Sequence, residues 1–114
     1  MPIPPAERER VGLILREYCE EKVPLRVRDQ LQLDFRFDGN NAILFERRPA
    51  WDGRKDWIES NVAKFRYFVG RAEWEVYWCD RNLRWRRYDL LAPSRRFTTL
   101  LTEVDSDPTC IFWG

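Results

Sequence analysis

The stretch Trp74-Glu75-Val76-Tyr77-Trp78 runs through a short polar turn, Asp80-Arg81-Asn82, into Leu83-Arg84-Trp85-Arg86-Arg87-Tyr88. Successive side chains of a β-strand point to opposite faces, so this spacing predicts two strands, 73–79 and 83–90, joined as a hairpin. Trp74, Val76 and Trp78 share a face and are assigned to the core. In the second strand Leu83 and Trp85 are assigned inward, with Arg84, Arg86 and Tyr88 outward. A sheet with one apolar and one polar face follows, and the rest of the chain has to cover the apolar one.

Upstream, Ala63, Phe65, Tyr67 and Val69 alternate with Lys64 and Arg66, a third strand over 61–69. Leu31, Leu33, Phe35 and Phe37 alternate with Gln32, Asp34, Arg36 and Asp38 over 30–38. Asp38-Gly39-Asn40-Asn41 is a turn signal, because Gly and Asn accept positive φ at low cost, and Ala42 to Arg48 returns as the partner strand. Residues 49–60 read as an ordered loop or a single helical turn, with Trp51 and Trp57 folded over the core. Five sequential strands with short connections make an antiparallel meander.

Two helices complete the pattern. Val11, Ile14, Leu15, Tyr18 and Cys19 form one apolar stripe over 5–22, between Pro4-Pro5 and Pro24. Phe97, Leu100, Leu101 and Val104 repeat at helical spacing over 93–106, with Pro93 and Ser94 as first-turn residues and Pro108 beyond the end. Cys110-Ile111-Phe112-Trp113 is too apolar to remain in water, so it is expected to dock or to add an edge strand. The expected fold is α+β: an N-terminal amphipathic helix packed on a curved antiparallel sheet of about five strands, plus a C-terminal helix and a short apolar tail.

The chain has 114 residues, the size of one domain, so residues 1–114 are taken as a single domain. Seventeen arginines stand against three lysines, yet net charge is only +1, which argues for neither a general polyanion binder nor an acidic one. Only 81–96, with six arginines and one aspartate, is locally basic. Cys19, Cys79 and Cys110 are widely spaced and odd in number, and are read as reduced thiols in a cytoplasmic protein. No apolar run is long enough for a membrane span and no leader is recognised at Met1, so no membrane association is expected.

The landmarks Tyr18-Cys19-Glu20, Leu44-Phe45-Glu46-Arg47-Arg48-Pro49 with Trp51, Ala63-Lys64-Phe65-Arg66-Tyr67, Trp78 with Asp80 and Asn82, Trp85 with Tyr88, and the closing Asp107-Pro108 with Phe112-Trp113-Gly114 occur in order along nearly the whole chain. Together they resemble a bacterial family of small proteins catalogued as domain of unknown function 3024. The resemblance implies a bacterial single-domain protein and carries over no activity, substrate or catalytic residue.

With no histidine, a Ser-His-Asp or Cys-His triad is impossible, and no ordinary zinc motif can be assembled. The glycines are scattered singly, so no phosphate-cradling loop exists. Neither a cofactor nor a metal is expected, and a non-catalytic role is the expectation. Asp34 and Glu46 with Arg48 resemble the acidic pair of a metal-dependent nuclease, but arginine cannot give up its proton as lysine can, and cross-strand ion pairing explains the same residues better. Glu103, Asp105 and Asp107 match no calcium-loop spacing and read as a helix end.

Glu46, Arg48, Lys64 and Arg66 are read as one outward polar ladder, with Arg84 and Arg86 beside it. An ion-pair array worth about 0–1 kcal/mol per contact is its plainer account. Its functional account is a recognition surface for a protein or an anionic ligand, since guanidinium groups bind carboxylate or phosphate bidentately. The alternative is single-stranded nucleic acid bound through 78–96, with stacking on Trp78, Trp85 and Tyr88. The protein is expected to be a monomer, or a homodimer if the tail finds no groove in its own domain.

Overall fold

The computed structural model describes residues 2–50, 52 and 56–113. Helix α1 (Pro5–Lys22) leads through a 3-10 turn (Leu25–Val27) into β1 (Gln32–Asp38), β2 (Asn41–Pro49), β3 (Trp57–Phe68), β4 (Glu73–Cys79) and β5 (Trp85–Arg87), and helix α2 (Phe97–Ser106) follows. The strands form one antiparallel sheet in the order β1-β2-β3-β4-β5. This is the α+β arrangement of two helices and a five-stranded meander that the periodicity predicts.

Both helices lie on the same side of the sheet. From α1, Val11, Leu15 and Cys19 are buried; from α2, Phe97, Leu100, Leu101 and Val104. They meet Ala42 and Leu44, Phe65 and Tyr67, and Trp74 and Val76 in one apolar cluster. Its centre is aromatic: Phe97 lies 4.7 Å from Phe65 and 5.1 Å from Trp74, and Trp74 lies 5.0 Å from Tyr67, tilted contacts that suit the ring quadrupoles. Trp74 is fully buried, and its indole Nε1 donates to Glu7 Oε2 at 2.8 Å, so the first turn of α1 supplies the one polar partner that this ring needs. Among the described residues no helix is long and apolar enough to cross a membrane.

Several expectations are corrected. β3 begins at Trp57, so 57–60 extend the strand, and Trp57 is 37% exposed at its end instead of covering the core. Trp51 lies outside the described residues. α2 starts four residues later than expected, because Ser94 is drawn into a β-bridge with Trp74, exchanging backbone bonds of 2.8 and 3.0 Å. The tail docks: Phe112 is buried against Tyr88, and Trp113 Nε1 donates to Val104 O at 2.9 Å. The tail therefore finds its groove within its own domain.

The facing of β5 is also reversed. The Leu83 N–H donates to Asp80 O (2.9 Å), and Leu83 itself has φ +63°. That is a three-residue hairpin loop, a tight turn followed by a left-handed residue. It sets Cys79 opposite Trp85 and Trp78 opposite Arg86. Trp85 consequently shares the outer face with Tyr77. Tyr88, expected outward, is 3% exposed in the core, and Leu83, expected inward, is 79% exposed.

Candidate functional site

Among the described residues no helix covers the second face of the sheet, and its side chains can be read row by row from the register. One row is Arg36, Ile43, Lys64, Tyr77 and Arg87; the next is Asp38, Asn41, Arg66 and Glu75. Beyond a bulge at Leu44/Phe45, where Val62 and Ala63 both turn into the core, Phe45 faces Asn61 and Arg47 faces Glu59.

Phe45 and Ile43 are buried here although they point away from the helices. The Arg36 and Arg47 guanidiniums lie 4.7 and 5.0 Å over the Phe45 ring, so their stems and planar heads supply the missing cover. Both are held on Glu59 at 3.2 Å, and Arg47 also reaches Asp34 at 3.5 Å. The bonds from Arg47, with Arg36, keep the Glu59 carboxyl below its ordinary range. On the opposite flank Glu75 is buried between Arg71 (3.7 Å) and Arg87 (3.9 Å), and accepts a hydrogen bond from the Tyr77 hydroxyl at 3.1 Å.

Lys64 lies between these two neutralised clusters. Its ammonium is 4.7 Å from the Tyr77 ring centre and 5.5 Å from that of Trp85. Burial, with Arg66 nearby and Asp38 pulling the other way, pushes its pKa below that of an ordinary lysine. Among the described residues neither Lys64 nor Arg66 is ion-paired to a carboxylate; Arg66 instead rests 5.0 Å over Phe68. Asn41, opposite Arg66, keeps a buried Oδ1 with no hydrogen-bond partner.

The ladder read from the sequence is thus divided. Lys64 and Arg66 share the outer face, but Glu46 and Arg48 lie on the helix side, paired at 3.5 Å beside a cavity lined by Lys22, Leu33 and Trp113. Arg84 and Arg86 stand at the far edge, where Arg86 is pinned to Asp80 at 2.8 Å. The facing of β2 has no periodic signal. Ala42-Ile43-Leu44-Phe45 is apolar at every position, so the alternation that would fix the facing of β2 is missing. Asp34 and Glu46 point to opposite faces, and among the described residues no three His, Cys, Asp or Glu side chains gather where they would hold a metal ion. Trp85, named from the sequence only as a stacking residue of the nucleic-acid alternative and otherwise assigned to the core, stands on this outer face; Tyr77, Ile43 and Phe45 carry no site assignment from the sequence, and the odd positions of β4 give the one available signal, for Tyr77.

This geometry can hold an anionic group at Lys64 and Arg66 while a flat or apolar group rests on Tyr77 and Trp85. No curated protein and no solved structure matches the chain. A family model described as domain of unknown function 3024 matches residues 3–114, and the chain belongs to that family.

Proposed function

We propose that this chain is a non-catalytic binding module of the bacterial cytoplasm, engaging a protein partner through its uncovered sheet face. The observation that carries this reading is Lys64, a half-buried ammonium set between two aromatic rings with no carboxylate on it. A partly desolvated cation without a counter-charge gains from an arriving anion, so an acidic or phosphorylated side chain on the partner gains most at this point. Tyr77 and Trp85 would take an apolar neighbour of that anion. Asp34, Glu59 and Glu75 neutralise the flanking arginines, which favours a partner with one or two anionic groups over a polyanion. Three unpaired thiols fit a reducing compartment.

A photo-crosslinking residue placed at Asn61, on the rim of this face, tests the proposal in cells. Discrete protein adducts are expected, lost when Lys64 and Arg66 are both changed to Ala. Adducts indifferent to that double change, or none at all, would overturn the reading. The second reading is single-stranded nucleic acid, favoured by the outward Trp85 beside Tyr77 and Lys64. It requires adducts that nuclease removes, and a dissociation constant for a ten-nucleotide single strand that rises steeply with salt.

A further inference from the structure

The sheet has one long free edge. Among the described residues strand β1 pairs only with β2, and the 2.8 Å bond from Tyr67 N to Asn40 O fixes which amides the ladder uses. That bond makes Asn41 and Arg66 a non-hydrogen-bonded pair, so β2 bonds β3 through its even residues and β1 through its odd ones. Opposite those odd residues stand Asp34, Arg36 and Asp38 of β1. The backbone groups of Leu33, Phe35 and Phe37 therefore point away from the sheet. Among the described residues the Phe35 N–H is occupied only by the carboxylate of its own neighbour, Asp34 Oδ1, at 2.8 Å. Beside this edge the Phe35 and Phe37 rings are half-buried, and Leu13 on α1 is 58% exposed over a groove that it shares with Phe37.

We infer that the occupant of this edge is a second copy of the chain, paired antiparallel about a two-fold axis through Phe35. The free amides must face one another, so odd residues pair with odd ones, and the charges then choose among the few registers. Centred on Phe35, the pairing sets Asp34 opposite Arg36 of the partner twice over, with Leu33 opposite Phe37 and Gln32 opposite Asp38. Slipped one step either way, it sets Asp34 against Asp34 or Arg36 against Arg36. Only the centred register pairs opposite charges along the middle of the strand while bringing all three apolar side chains together on the helix side. Two five-stranded sheets become one of ten strands, and Leu13 is covered across the axis. On pairing, the Phe35 N–H exchanges Asp34 for the partner's Phe35 carbonyl, and Asp34 is released to Arg36 of the partner.

Sedimentation of the full chain tests this directly. The expected mass is twice 13.9 kDa at high concentration. D34R sets Arg against Arg36 and should raise the dimer dissociation constant about ten-fold or more, and D34R/R36D should restore it. Phe35→Pro removes an amide that the β2 ladder does not use, and should give a folded monomer. Wild-type hydrogen exchange needs no variant: the Leu33, Phe35 and Phe37 amides should slow as concentration rises. A monomer at all concentrations shows instead that Asp34 merely protects the edge, and overturns the inference. A dimer whose three edge amides stay unprotected overturns it equally, by placing the interface elsewhere.

Discussion

Glu7 carries more than its place in the first turn of a helix suggests. Burial alone would raise its carboxyl, but the bonds from Arg10 and from the Trp74 indole outweigh that effect and hold it below the usual range. Its removal would leave a fully buried indole N–H without an acceptor, a defect worth about 1–3 kcal/mol. Glu7→Ala is therefore expected to destabilise by that amount in urea unfolding, while Arg10→Ala, which loses only an exposed partner, should cost under about 1 kcal/mol. Equal losses in the two variants would show that the indole bond contributes nothing. Periodicity identifies Trp74 as core but gives no sign that its partner lies 67 positions away.

Asp107 has the corresponding role at the end of α2. It sits in the left-handed region (φ +43°), and its carboxylate accepts the N–H groups of Ile111, Phe112 and Trp113 at 2.8, 3.1 and 2.9 Å. The three neighbouring acids, whose spacing fits no calcium loop, go separate ways: Glu103 to Tyr88, Asp105 to Tyr18 and Lys22, Asp107 to the tail. Asp107→Ala combines a strained backbone with three lost hydrogen bonds and should cost about 2 kcal/mol or more, with faster exchange at the Trp113 indole. Asp107→Gly relieves the strain and should recover about 1 kcal/mol while the indole still exchanges fast. Slow exchange in either variant would show that the tail docks without this carboxylate. A helix end was legible from Pro108, whereas the carboxylate's reach into the next six residues was not, since it depends on where the tail lies.

Across the molecule, acid sensitivity follows from carboxylates whose folded pKa values are depressed. Arg10 and Trp74 hold Glu7, Arg47 with Arg36 holds Glu59, Arg86 with the Arg84 amide holds Asp80, and Lys22 with Tyr18 holds Asp105. Each binds its proton less readily folded than unfolded. The stability they contribute is therefore complete above the unfolded values near pH 4, and is lost as pH falls through the depressed ones. With no histidine to titrate, the urea midpoint should change little between about pH 6 and 8 and fall steadily toward pH 3. A midpoint as high at pH 3 as at pH 6 would contradict these assignments.

The amino-acid order alone determined the elements: the α1 stripe of Val11, Leu15 and Cys19, the alternation of β1 and β4, and the turn at Gly39 are local patterns, and hydrophobic spacing writes them within a few residues. Which side of each strand meets the helices was decided only in three dimensions. β2 is apolar on both faces because arginines from β1 and from its own far end cover the second one. β5 was turned over by a single left-handed residue at Leu83. Facing depends on turn length, bulges and distant cover, and none of these is periodic; hence Lys64 and Arg66 could be named from spacing, while the folded sheet alone set Tyr77 and Trp85 on the same face beside them.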